Sequence, residues 1–443
     1  MHRRDLLKSA LAGSGLWALR AAAVGLPLSF VRQPTAFAAD ACAPAMLTDP
    51  RAPDFLIMSL GPGGDPLNAN CPGAYVTGAN NNTNIEMQAT DFNLGSFATR
   101  AAAPWATLPT AMAARTAFVH NRTGAIGHNQ FGAVTRLFGA VKNGDGRGEE
   151  CLPSALALET AAALGSIQAE PVALSTAPLT VRGVPVQMFK PSGLLSLFQP
   201  QESTIGDLAG LRDQTVDILH ARLKAGGTPA QKRFLDRYVL GRTQARALGD
   251  CLGSLLAELP VVAGQSDGAA DQVLTAIALF KLNVTPAVTI TIPYGGDNHN
   301  DPDLANEMNQ TIAGVNALKY MWAKITEYGM ADRVTYANLN TFGRTLKRVG
   351  DGRSHNQEHH VMTIIGRRAN GGVYGGIAQG TRDFGATAID SASGASRPTA
   401  DIPAEETLQG AAKTLAAAVG LSSERIGVRI NGGRVITAAV TTT

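Results

Sequence analysis

The chain predicts an α/β fold: a mixed, mostly parallel sheet with helices on both faces. Three observations carry that expectation. Phe55-Leu56-Ile57-Met58-Ser59-Leu60 is a nearly unbroken apolar run, the pattern of a strand covered on both sides. From residue 287 onward, short β-branched runs alternate with segments of helical periodicity, which implies parallel strands joined by helices. Hydrophobic residues make up 45% of 443 and charged residues 16%, enough to build a large core and the reverse of a disordered composition.

Taken in order, the first strand runs into Gly61-Pro62-Gly63-Gly64-Asp65, which reads as a loop. Pro104 to Arg115, with Trp105, Leu108 and Met112, has helical spacing, and Thr116-Ala117-Phe118-Val119 reads as a strand delivering His120 to a loop. Leu152 to Ile167 predicts a helix; Pro171 to Leu174 and Val184 to Phe189 predict short strands. Helical periodicity from Ile205 to Leu259, broken at Gly226-Gly227-Thr228-Pro229, predicts a helical hairpin, followed by a helix over Asp271 to Leu282. Strands are then expected at Ala287–Ile292, Val334–Leu339, Val361–Ile365 and Val435–Val440, with helices at Leu304–Tyr328 and Ala404–Val419. The organisation is one domain over 39–443 with a helical insertion at about 200–283.

The first 38 residues read as an export signal. Arg3-Arg4 is a twin-arginine pair, Ser9 to Phe30 is mildly apolar, and Ala36-Phe37-Ala38 is a small-x-small cleavage site. Arg20 interrupts the apolar stretch well short of the ~20 residues a spanning helix needs. The expected location is therefore the periplasm or the exterior, with no stable membrane insertion after cleavage. Setting aside the five Lys/Arg and one Asp of this segment leaves 33 basic against 34 acidic residues, and no basic run points to nucleic acid. Cys42, Cys71, Cys151 and Cys251 lack Cys-x-x-Cys spacing, so a cysteine zinc site is not expected, and their pairing is not legible.

Ligands of open α/β sheets bind beyond the carboxyl ends of the strands. Six of the eight histidines fall in such positions: His120, His128, His299, His355, His359 and His360. Asp65, Asp297, His299, Glu358 and His359 form a carboxylate–imidazole set suited to a divalent metal such as zinc, and Arg344 beside them suits an anionic small molecule or polymer. His355 or His360 would orient Glu358 from outside the ligand set. His355-Asn356-Gln357-Glu358-His359 also fits the His-x-x-Glu-His pattern of zinc proteases, whose mechanism needs both histidines on one helical turn. Pro302 stands where a calcium loop needs Gly, and Gly61-Pro62-Gly63-Gly64 lacks dinucleotide-binding spacing.

A strand leading to Gly-Gly-Asp, an Asp-x-His loop, a Phe-Gly-Arg-Thr turn at 342–345, an acidic-His pair before a strand and a Gly-Gly-rich turn at 370–376 together resemble the exported proteins of domain-of-unknown-function family 1501. That family is similar to the alkaline phosphatase and sulfatase superfamily. The resemblance implies hydrolysis of a phosphate or sulfate ester at a metal site holding Asp65, Asp297, His299, Glu358 and His359. Two departures stand out. The usual Asp-His-Gly is Glu358-His359-His360, and no histidine follows His360. The sulfatase Cys-x-Pro-x-Arg signature is absent from the sequence, and Thr123 is the nucleophile candidate by its place after the second strand. A non-catalytic binding or assembly protein on the same fold is the competing expectation. Substrate and oligomeric state are not legible in the chain.

The twin-arginine pair lies outside any predicted core. Replacing Arg3 and Arg4 by Lys is expected to stop export while leaving the protein foldable in the cytoplasm, as read by fractionation and immunoblotting. Undiminished periplasmic protein from that variant would overturn the export assignment.

Overall fold

The computed structural model describes residues 49, 51–65, 67–166, 168–174, 178–192, 206–229, 231–232, 235–236, 267–292, 294 and 296–441. The expected signal segment, Cys42, Cys251 and most of the second half of the expected hairpin lie outside these residues.

Eight strands make the main sheet: β1 (Phe55–Asp65), β2 (Thr116–Asn121), β3 (Val172–Ala173), β4 (Ala287–Ile290), β5 (Val334–Arg344), β6 (His355–Asn356), β7 (His360–Ile365) and β8 (Gly372–Tyr374). Their order is β8-β2-β7-β5-β1-β4-β3, with β6 added to the end of β5. Only β6 and β7 run against the others, so the sheet is mixed and mostly parallel. Among the described residues the longer helices are α1 (Leu152–Leu164), α2 (Gly206–Ala225), α3 (Ala269–Lys281), α4 (Ala305–Glu327), α5 (Thr407–Val419) and α6 (Ser423–Arg429).

The unbroken apolar run of β1 is explained by its central position. Alternate side chains leave opposite faces of a strand. Phe55 and Ile57 pack in a core with Val273 and Ile277 of α3 and Val315 and Leu318 of α4. Leu56, Met58 and Leu60 pack in the opposite core with Leu152 and Leu156 of α1 and Leu408 and Leu415 of α5. Both faces are dry, so no polar alternation is needed. α3 belongs to the first of these layers, which places 269–281 in the body of the domain and not in an insertion.

Several elements differ from the sequence-based expectation, each for a physical reason. The helix expected from Pro104 to Arg115 is two single turns, Ala103–Ala106 and Thr110–Ala113, because Pro109 has no N–H and forces the chain before it out of helix. Gly61 to Asp65 and Phe342 to Arg344 are strand, not loop and turn. β1 and β5 stay paired through an irregularity at Gly61/Gly64, and β6 returns to supply the other edge of Arg344. A Cβ on Gly64 would collide with the side chains of Arg344 and Phe342, so the glycine is what lets the two strand ends close up. The final strand expected at Val435–Val440 is a 3-10 turn over Thr437–Ala439, with Val440 making only an isolated bridge to Ala369. The sheet edge is occupied instead by β8, drawn from the glycine-rich stretch expected to be a turn. Of Val184–Phe189, only Val184–Pro185 forms a strand, in a small hairpin with Thr180–Val181. Cys71 and Cys151 are both buried, and among the described residues no helix is long and apolar enough to cross a membrane.

Candidate metal centre

The loops leaving β1, β2, β4 and β5 meet at the shared carboxyl edge. The Gly296 N–H donates to the Gly64 carbonyl at 3.0 Å, tying the segment after β4 to the end of β1. The backbone of Asp65 lies in register with Gly343 of β5.

Among the described residues, one group offers three converging metal-ligand atoms: His128, Asp297 and His355, each giving one donor, all within 4.8 Å of one another. His128 sits on a short turn after β2, and its Nδ1 is 2.8 Å from the Pro62 carbonyl. His355, on β6, has its Nδ1 hydrogen-bonded to the Ile126 carbonyl. A carbonyl only accepts, so both rings carry their proton on Nδ1 and present a lone pair at Nε2. That is the arrangement of a ligating imidazole held by a backbone carbonyl. Phe342 stacks on His355 with ring centres 4.0 Å apart, and His128 meets both rings edge-on.

His299 completes the cluster. Its Nε2 is 3.0 Å from His355 Nε2 and 3.4 Å from Asp297 Oδ1. Two imidazole nitrogens so close require a single proton, or a cation, between their lone pairs. Arg344 closes the inner side. Its fully buried side chain donates to the Gly296 carbonyl and lies 3.4 Å from both Asp297 Oδ1 and His299 Nε2. Burial lowers the Arg344 pKa and the Asp297 carboxylate opposes the change. His355 is held below the ordinary imidazole value, first by burial and then by neighbouring Arg344, His299 and His128, against the opposing Ile126 carbonyl.

The structure thus brings together Asp297, His299 and Arg344. It places Glu358 and His359 elsewhere. Glu358 accepts from Arg122 Nη1 at 2.7 Å, and the same guanidinium bonds the Ala386 carbonyl. His359 is fully buried, its Nε2 2.8 Å from His120 Nδ1. His120 Nε2 lies 3.0 Å from the Pro72 carbonyl and so carries the proton, which makes His359 the donor in the pair. His360 accepts the Asn340 N–H at 3.3 Å and faces Asn121 Oδ1 at 3.3 Å, so it does not orient Glu358. These three rings are held in the sheet between β2 and β7, and their contacts replace the expected role of His359 as a ligand. Thr123 is buried, with its hydroxyl oxygen accepting the Ala125 N–H at 3.4 Å. His355 falls in strand β6 and His359 just before β7, outside any helix, which removes the helical turn a His-x-x-Glu-His protease needs. Asp301 is not a loop ligand either; its carboxylate accepts the N–H groups of Asn306 and Glu307 at 3.0 and 2.9 Å and caps α4.

No family model matches the chain, and no curated protein matches it significantly.

The buried histidines generate a pH dependence. Burial holds His120 down at about 4 and His360 down at about 3. Burial, with His120 and His360 beside it, also holds His359 well below the usual value. In the unfolded chain such rings titrate near ~6.5, so below that pH the unfolded state binds more protons than the native state. Their contribution is therefore complete above pH ~6.5 and lost as pH falls toward about 4. The urea midpoint should drop over that interval, and a midpoint flat between pH 7 and 4.5 would show that the rings are not buried and neutral. His359→Ala should cost about 2–4 kcal/mol by leaving a cavity and an unpaired His120. Glu358→Ala, which removes a half-exposed ion pair, should cost under ~1 kcal/mol by the same measurement.

Proposed function

We propose that the protein is an exported, metal-dependent hydrolase of an anionic ester, phosphate or sulfate, on an alkaline-phosphatase-like variant of the α/β sheet. The observation that carries this reading is the convergence of His128, Asp297 and His355 beside the buried Arg344 guanidinium. Two neutral imidazoles and one carboxylate fit a divalent ion of the zinc or manganese type, with His299 within reach as a further donor. Bound there, such an ion would polarise the ester oxygen and acidify a water molecule.

The chain's own residues do the rest. The Pro62 and Ile126 carbonyls hold His128 and His355 in the tautomer that presents Nε2, and Phe342 fixes the plane of His355. The donor set carries one negative charge and Arg344 one positive charge. With a divalent ion the site gains a net positive charge that attracts an anionic ester. Arg344, held by the Gly296 carbonyl beside Asp297 and His299, contributes a fixed positive charge toward an anionic ester. Thr123, with its hydroxyl buried and engaged, is poorly placed to attack, so water is the nucleophile in this reading.

The test is metal analysis of protein isolated from the periplasm, followed by aryl phosphate, phosphodiester and aryl sulfate substrates. His355→Ala and Asp297→Asn should each weaken metal binding by tenfold or more and lower turnover about 100-fold. Arg344→Lys should keep the metal while lowering kcat/KM by roughly 10–100-fold, because a lysine cannot reproduce the fork. Full metal content with no turnover on any ester would leave a binding or assembly protein on this fold as the better reading. No metal and no turnover would end the hydrolase assignment.

A further inference from the structure

Asp297 and His299 lie on one loop and His355 on β6, so the centre depends on what fixes the distance between the two. That point is Gly352-Arg353. The Arg353 backbone N–H donates at 2.8 Å to the carbonyl of Asn298, the residue between Asp297 and His299. A Cβ on Gly352 would overlap that same carbonyl oxygen and press on the His299 carbonyl group, so only glycine permits the approach.

The Arg353 side chain extends this contact into the body of the protein. It is fully buried and ion-paired with Glu307, equally buried, in the first turn of α4. Its Nη1 donates to the Thr345 and Leu346 carbonyls at 2.9 Å each, directly after Arg344, and its Nη2 to the Asn80 carbonyl at 2.7 Å. The far end of the Asp297 loop is held by the same helix, through the Asp301 carboxylate on the Asn306 and Glu307 N–H groups. One residue therefore touches the loop of Asp297, the strand end of Arg344 and the approach to His355.

We propose that Gly352 and Arg353, anchored on Glu307, are positioning residues that set the separation of the Asp297–His299 loop from His355 and so preorganise the metal centre. The inference rests on the metal reading above, and its test separates the two. Co(II) is titrated into the metal-free full chain and followed by its visible absorption. Gly352→Ala should raise the Kd about 10–100-fold, the range for groups that orient ligands without touching the metal. Gly366→Ala, which clashes with Thr335 at the opposite edge of the sheet, should lower Tm comparably while leaving Kd within about twofold.

The second readout needs no metal. In protein labelled with 15N-histidine, Gly352→Ala should shift the Nε2 signals of His299 and His355, which lie 3.0 Å apart. Gly366→Ala should not. If Gly352→Ala does not fold, Arg353→Lys, which keeps the charge but loses the fork, is judged on the same two readouts. Loss of Tm with both Kd and histidine signals unmoved would reduce Gly352 and Arg353 to structural residues and overturn the proposal. If the unaltered protein binds no Co(II), the metal reading fails, and the histidine signals alone decide whether the loops are held by this contact.

Discussion

The buried Arg353–Glu307 pair is the interaction on which the carboxyl edge of the sheet depends. Both side chains are fully out of water, and a lone buried charge there would be costly by several kcal/mol. Such a pair is tolerable only when its polar atoms are met. All five guanidinium donors are: Nε and Nη2 by Glu307, Nη1 by two carbonyls, Nη2 also by Asn80. Glu307 in turn accepts from Asn70 at 2.9 Å and Asn82 at 3.3 Å. Segments from four parts of the chain thus share one electrostatic knot, and none can move without uncovering a charge.

The layer structure was legible because it follows from periodicity. The unbroken apolar run of β1 and the helical spacing of α4 demand a strand covered on both faces and a long amphipathic helix; β1 starts at the expected Phe55 but runs on to Asp65, and α4 formed within one residue of its expected limits. What was not legible arises from pairing between distant segments. Phe342 to Arg344 carries Gly343 and a charged residue, a poor strand by local preference, yet β6 and β1 complete its hydrogen bonds from both sides. β8 is hidden in a glycine-rich stretch for the same reason: its pairing partner is β2, some 250 residues earlier by the roughly counted separation of Gly372 and Ala117.

The histidines show the same limit at the level of the site. Sequence position gathered six of them at strand ends but could not separate two physically different groups. His120, His359 and His360 are buried, neutral and engaged with one another, with Asn121 and with backbone. His128, His299 and His355 sit at the mouth, where lone pairs converge on Asp297. The distinguishing signal was the hairpin: once His355 is placed opposite Arg344, it falls beside the Asp297 loop, and His359 falls just before β7, buried against His120. Glu358 is diverted by Arg122, a partner no spacing rule would have indicated.

The atoms that set the tautomers of His128 and His355 are main-chain carbonyl oxygens, those of Pro62 and Ile126. Every amino acid carries a carbonyl, so the orienting chemistry survives any replacement that keeps the local course of the main chain. Ile126, 60% exposed, is therefore free to vary without disturbing the ring it steers. Two proteins sharing this centre would agree in the imidazoles and differ at the residues that aim them. The steering is inherited as the shape of two loops, and a comparison of letters alone would pass over it.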